Sequence, residues 1–147
     1  MRWRFVDRME AFEPWTFLRG RKSISLEEFC LLDPLGRKGV FPETLALESC
    51  THLGRWLVMK SSDFLKIGLL SEVREFSFAN ECGMEQSLEM TVRVQKKEEG
   101  SIEAACDATA EGRPICRGVL ILAFMELGEL VDPETMRATW QELYVKT

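Results

Sequence analysis

The sequence predicts an α+β fold in which one long helix packs against an antiparallel sheet. Residues 42–60 carry apolar side chains at three- and four-residue spacing on more than one side, which is typical of a buried helix. After this helix, short segments alternate polar and apolar residues between polar turns, as half-buried strands do. At 147 residues, the chain suits a single domain over 1–147, because domains commonly contain about 100–150 residues.

Before the central helix, the sequence predicts one strand and one short helix. Residues 14–25 mix aromatic and β-branched residues with alternating charges, which favours a strand. Ser25 and Glu28 match the capping-box pattern S-x-x-E, so we expect a short helix from 26 to about 32. The sequence DPLG at 33–36 then ends that helix, because Pro and Gly interrupt helices.

The segment 42–60 is the candidate central helix. Pro42 suits the first helical position, where its missing N–H removes no hydrogen bond. One apolar stripe contains Leu45, Ser49, His52, Leu53 and Trp56, and another contains Leu47, Cys50, Gly54, Leu57 and Val58. We therefore expect this helix to be covered on more than one side.

The second half of the chain is predicted to form sheet, followed by a helix. The predicted strands are Val73–Phe78, Leu88–Val94, Ile102–Ala110 and Ile115–Leu127, with turns at 96–100 and 112–114. Ile115–Leu127 is the most apolar of them, which places it at the centre of the sheet. A C-terminal helix is expected over about 132–144, with Asp132 as its N-cap and Pro133 in its first turn.

The bulk composition argues against several classes of partner. The formal net charge is −5 and the positive charges are scattered, whereas a nucleic-acid-binding protein usually presents a basic stripe. The N-terminus lacks the apolar region of a secretion signal. The longest apolar run, VLILAFM at 119–125, is too short to span a bilayer. We expect neither a nucleic acid nor a membrane among the partners.

The cysteines predict a reducing compartment. The chain contains five cysteines, an odd number, with no C-x-x-C pair and no metal-site spacing. Cys50, Cys106 and Cys116 lie among apolar or small residues, as buried thiols often do. We therefore predict a cytoplasmic location, no metal site and no cofactor.

Several motifs, in this order, resemble those of one enzyme family. They are Phe5-Val6-Asp7-Arg8, Ser25-Leu26-Glu27-Glu28-Phe29, Val40-Phe41-Pro42-Glu43-Thr44-Leu45-Ala46-Leu47-Glu48, Val73-Arg74-Glu75-Phe76, and the segment from Arg113-Pro114-Ile115-Cys116 to Leu127. Together they cover about residues 3–130 and resemble the FabZ-type 3-hydroxyacyl-acyl-carrier-protein dehydratases. The resemblance implies the hotdog fold, in which an antiparallel sheet wraps around one long central helix.

The resemblance also implies a chemistry and a set of partners. That family removes water from 3-hydroxyacyl thioesters in fatty acid biosynthesis, with a His and a Glu contributed by opposite subunits of a dimer. An acyl-carrier-protein or CoA thioester is the expected substrate, and a homodimer is expected, with a heterodimer of two hotdog subunits as the alternative. In that family the start of the central helix donates a backbone N–H to the thioester carbonyl. The corresponding substrate-binding positions here are Val40, Phe41, Glu43, Thr44 and Leu45.

The sequence departs from that family at its catalytic residues. Glu48 matches the family's carboxylate, but Pro34 occupies the position of its histidine, and Glu43 replaces a glycine. His52 is the only histidine in the chain and lies four residues after Glu48. Residues at this spacing share one helix face. We therefore predict that Glu48 and His52 form a rebuilt catalytic pair.

Simpler interpretations stay open for each of these residues. Glu48 could be solvated or paired with Arg55, His52 could be a structural histidine, and Cys50 is interpreted as a packing residue. Three functions remain: a dehydratase or hydratase with an altered site, a half-catalytic subunit whose partner supplies the missing His, and an acyl thioesterase. A thioesterase needs only one carboxylate that directs water at the thioester.

Overall fold

The computed structural model describes residues 5–24, 40–83 and 85–145. Its helices are α1 (Glu43–Ser61) and α2 (Pro133–Leu143), and its strands are β1 (Arg8–Glu13), β2 (Phe17–Ser23), β3 (Lys66–Phe78), β4 (Ser87–Lys97), β5 (Ser101–Ala110) and β6 (Arg113–Glu126). The short helix predicted from 26 to 32 and the loop after it lie outside the described residues. The strands form one antiparallel sheet in the order β1-β2-β4-β5-β6-β3.

The predicted central helix is confirmed within one residue at each end. α1 begins after Pro42 and contains 19 residues. Its buried residues include Cys50, Leu53, Leu57 and Val58, and it packs on the inner side of the sheet. At its end the chain turns, because Asp63 and Phe64 adopt positive φ angles of 53° and 62°. Because the buried residues of α1 belong to both predicted stripes, the helix lies within the curve of the sheet, as predicted.

The single strand predicted over 14–25 is wrong in its bounds. The chain instead forms the hairpin β1–β2, with a turn at residues 14–16. Pro14 has no N–H to give to a sheet, and Trp15 has a φ of 54°, which turns the backbone out of the extended conformation. The turn is fixed to α1, because the Trp15 N–H donates to Ser61 Oγ at 2.9 Å.

The later strands are confirmed, with β3 longer than predicted. β6, predicted at the centre of the sheet, lies instead between β5 and the edge strand β3. β3 spans 13 residues. Its first half is an apolar run without strict alternation, so the sequence pattern gives no clear strand signal there. Two irregularities interrupt its pairing with β6, one after Leu70 and one after Arg74. Glu75, in the second irregularity, has a φ of 52°. α2 confirms the predicted C-terminal helix.

The two edges of the sheet are different. On the outer side of β1, Tyr144 forms a parallel bridge with Met9, and the Val145 N–H donates to the Met9 carbonyl at 2.8 Å. α2 places Trp140 against Phe12, with ring centroids 5.3 Å apart. β3 forms the other edge, and in the described part of the chain it pairs with β6 alone. Among the described residues, no helix has both the length and the hydropathy required to cross a bilayer.

Candidate functional site

Three polar side chains meet on one face of α1. Glu48, His52 and Arg55 follow one another at four- and three-residue spacing, so they lie along one stripe of the helix. Arg55 Nη2 lies 3.9 Å from Glu48 Oε1, and His52 Nε2 lies 3.9 Å from the same oxygen. Their side chains are 38%, 32% and 29% exposed, in chain order. The structure therefore brings together the predicted pair Glu48 and His52 and adds Arg55 to it.

The surroundings of His52 favour the uncharged imidazole. Burial lowers the pKa of His52 below its ordinary value, and the positive charge of Arg55 lowers it further. The carboxylate of Glu48 acts in the opposite direction, but its effect is smaller than that of burial. At neutral pH this histidine is therefore a neutral group.

Arg55 also contacts the imidazole of His52. Arg55 Nη1 lies 3.4 Å from His52 Nε2. A guanidinium can only donate, so Nε2 is the acceptor in this contact. The distance of 3.9 Å between His52 Nε2 and Glu48 Oε1 is too long for a hydrogen bond. His52 therefore takes no proton directly from Glu48 in this arrangement.

The N-terminal segment covers this stripe with an aromatic ring. The rings of Phe5 and His52 have centroids 4.6 Å apart and planes inclined by 32°. The segment is held on β2, because the Asp7 N–H donates to the Arg21 carbonyl at 2.9 Å. The site is thus built from α1 and from a segment distant in sequence, and nothing in the local sequence pattern indicates that Phe5 would meet His52.

The predicted substrate-binding residues surround the start of α1. Phe41 is buried, and its N–H donates to the Cys82 carbonyl at 2.7 Å. Glu43 and Thr44 are exposed in the first turn, and Leu45 is half-buried. Val40 is half-buried and lines a depression of about 500 Å³. The other residues that line it are Ala79, Asn80, Glu81, Gly83, Gln86 and Arg113. The role of these five residues stays a prediction.

The cysteines contribute to packing rather than to the site. Cys50, Cys106 and Cys116 are buried, as predicted. Hydrogen bonding with the Cys106 thiol, together with burial, raises the pKa of Cys50, and the thiol of Cys50 similarly raises the pKa of Cys116. A thiol that resists ionisation is a poor nucleophile. Among the described residues, no group of His, Cys, Asp and Glu is arranged to hold a metal ion.

Comparison with known proteins shows the fold. No protein-family model and no curated protein matches the sequence. A Streptococcus mutans protein bound to acetyl-CoA has a TM-score of 0.66 at 9% identity, over 82% of this chain and 89% of that one. A hot-dog-like protein from Thermanaerovibrio acidaminovorans gives 0.66 at 14%, over 89% and 93%. A thioesterase superfamily member from Thermus thermophilus gives 0.67 at 16%, over 91% and 96%.

The chain therefore has the hotdog fold, with its six antiparallel strands around α1. The resemblance to the FabZ-type dehydratases is confirmed at the level of this fold. It is not confirmed at the level of that family, since the comparisons reported above include a thioesterase superfamily member and no dehydratase. Pro34, which replaces the family's histidine, lies outside the described residues.

Proposed function

We propose that this chain hydrolyses acyl-CoA thioesters, with Glu48 as the base that directs water at the thioester carbonyl. The observation that carries the proposal is the cluster of Glu48, His52 and Arg55 on one accessible face of α1. Glu48 is 38% exposed, so water and substrate can reach its carboxyl group. Arg55 and the neutral His52 lie beside it, each with a nitrogen 3.9 Å from Glu48 Oε1.

A neutral His52 is less suited than a protonated one to be the acid of a dehydratase. A dehydratase must protonate a leaving hydroxide, and therefore needs an acid that carries a proton at neutral pH. His52 has a lowered pKa and its Nε2 accepts from Arg55, so it is poorly suited to be that acid. Hydrolysis of a thioester releases a thiolate, whose conjugate acid has a pKa of only about 8.5, and this group leaves without strong acid assistance. One base is then sufficient.

The start of α1 is proposed to bind the thioester carbonyl. The first N–H groups of a helix have no partner within the helix, and the helix dipole favours negative charge there. Leu45 and Ala46 donate to the Pro42 carbonyl at 3.0 and 3.1 Å, so the amide of Thr44 precedes the hydrogen bonds within the helix. Negative charge that develops on the carbonyl oxygen would be stabilised by this amide and by the helix dipole. The Streptococcus mutans neighbour, which was solved with acetyl-CoA, supports CoA as the carrier.

A second copy of the chain is the proposed partner at the β3 edge. Val73 and Phe78 pair with Leu120 and Cys116, which are buried, so both face the inner side of the sheet. They are nevertheless 37% and 39% exposed. Apolar residues beside an unpaired strand edge are suited to an antiparallel β3–β3 contact. Such a contact would bring the inner surface of one copy towards α1 of the other.

The function is tested by a substrate panel. Purified protein is incubated with acyl-CoA thioesters of increasing chain length, and free CoA is measured by thiol titration; 3-hydroxyacyl and enoyl thioesters are followed in parallel by mass spectrometry. We expect thiol release that Glu48→Gln removes and that Glu142→Gln, an exposed carboxylate on α2, retains. Interconversion of hydroxyacyl and enoyl thioesters without thiol release would show a dehydratase instead.

The partner is tested by measuring mass in solution. Light scattering after size-exclusion chromatography should give a dimer for the wild type and a monomer for Val73→Arg, because a charge at an apolar contact is strongly unfavourable. The matched control is Val131→Arg, an exposed valine beyond β6 that is 41% exposed. A monomeric wild-type chain would contradict the homodimer, and recovery of activity only with a second hotdog protein would favour the half-catalytic subunit.

A further inference from the structure

The segment Phe5–Asp7 makes a contact with the proposed site that the reaction scheme above does not use. The Phe5 ring lies on the His52 imidazole, with centroids 4.6 Å apart. Val6, between the two ends of the segment, is buried and lies close to Gly20 of β2. The segment therefore crosses from β2 to the polar stripe of α1 and ends over it.

Asp7 fixes this segment through three interactions with β2. Asp7 Oδ2 accepts from the Ser23 N–H at 2.7 Å and lies 3.5 Å from Lys22 Nζ. The Asp7 N–H donates to the Arg21 carbonyl at 2.9 Å. The Lys22 side chain is 5% exposed and that of Asp7 is 31% exposed, so the ammonium group meets Asp7 at the margin of the core. An anchor of this kind limits where Phe5 can lie.

We propose that Phe5 is a positioning residue for the proposed site: held through Asp7, its ring fixes the orientation of the His52 imidazole beside Glu48 and Arg55 and screens it from water. The proposal rests on the proposed function for its catalytic meaning, while the contact itself can be tested without activity. Phe5 contacts no reacting atom in this scheme and acts through His52 alone.

The Phe5 ring affects the charge state of His52 by burying its imidazole. Among the described residues, the charged groups that face His52 are Glu48 and Arg55, both on α1. Within Phe5–Asp7, the Phe5 ring lies against the imidazole, whereas the carboxyl group of Asp7 faces β2. Burial is the largest cause of the lowered His52 pKa, and an aromatic ring against the imidazole is a direct source of that burial. Without the ring, more of the imidazole would be exposed to water, which stabilises its charged form.

The test is an NMR titration of tag-free protein. The chain contains one histidine, so the imidazole signals belong to His52 without ambiguity. We expect Phe5→Ala to raise the His52 pKa towards its ordinary value of about 6.5, and Phe5→Tyr to keep the wild-type value. Asp7→Asn should shift it in the same direction by less, because it loosens the anchor and keeps the ring. Phe17→Ala, a half-buried phenylalanine on β2 that contacts Arg93, is the matched control and should change nothing.

The outcomes separate this proposal from the proposed function. If hydrolysis depends on neutral His52, the acid limb of its pH–rate profile should move to higher pH in Phe5→Ala and stay in place in Phe5→Tyr. If Phe5→Ala changes the titration of His52 but the protein has no thioesterase activity, the role of Phe5 is supported and the proposed function is contradicted. If His52 titrates unchanged in both folded variants, Phe5→Ala and Asp7→Asn, the proposed role of Phe5 is wrong, whatever the activity.

Discussion

The two faces of α1 differ in the contacts that their residues make. One face carries Cys50, Leu53 and Leu57, all with no exposed surface, and packs them against the sheet. The other carries Glu48, His52 and Arg55, which are about one-third exposed and contact one another instead of the core. A single helix therefore contributes both to the stability of the fold and to the proposed chemistry. Substitutions on the two faces should therefore affect different measurements.

Glu48→Gln should give the largest effect, and it should appear in activity alone. Loss of a general base commonly costs about 10²- to 10⁴-fold in rate. Because Glu48 is part of the exposed face, the free energy of unfolding should change by no more than about 0.5 kcal/mol. Thiol release and urea denaturation on the same preparation measure both. A large loss of stability with unchanged activity would place Glu48 among the structural residues.

Leu57→Ala should give the converse result on the packed face. Leu57 has no exposed surface, and removal of a buried leucine side chain typically costs about 2–5 kcal/mol. The loss is measured by urea denaturation, with activity determined on the fraction that remains folded. Leu130→Ala, at a leucine that is 47% exposed, serves as the control and should leave stability nearly unchanged. Equal losses in the two variants would contradict the assignment of Leu57 to the core.

Arg55→Gln should alter the titration of the exposed face. Arg55 lowers the pKa of His52 by its positive charge, so its removal should raise that pKa. At a fixed pH below neutrality the neutral fraction of His52 then falls, and any reaction that needs the neutral form should lose activity there first. The single-histidine NMR titration measures the shift. Arg137→Gln, on α2 and paired with Asp63 at 2.8 Å, should leave the His52 titration unchanged.

The smallest effect should come from Ser49, at the boundary between the two faces. Ser49 is fully buried, and its hydroxyl has no hydrogen-bond partner among the described residues. Ser49→Ala should therefore leave stability unchanged or increase it by up to about 1 kcal/mol. Ser62→Ala should act in the opposite direction, since Ser62 Oγ accepts from the Lys66 N–H at 3.0 Å. A clear loss of thermal stability in Ser49→Ala would show that its hydroxyl has a partner.

The packed face of α1 could be predicted from the sequence more completely than the polar face. The helix over 42–60 could be predicted because its apolar residues recur over its whole length. Glu48 and His52 could be paired because four-residue spacing fixes their separation on any helix. The contact of Phe5 with His52 depends on how β1 and β2 lie against α1, which no local pattern encodes. The β1–β2 turn was missed because the positive φ of Trp15 is rare for a residue of its size.

The pairing of Tyr144 and Val145 with Met9 has a consequence for how far this sheet can grow. A sheet with two free edges can add strands at both and extend into a filament. Here the C-terminal residues already occupy the hydrogen-bonding side of β1 at Met9. Met9 can therefore accept no further strand on that side, whereas β3 pairs with β6 alone among the described residues. If two copies pair at β3, as proposed, the contact uses that edge on both copies at once and leaves the two β1 strands outermost.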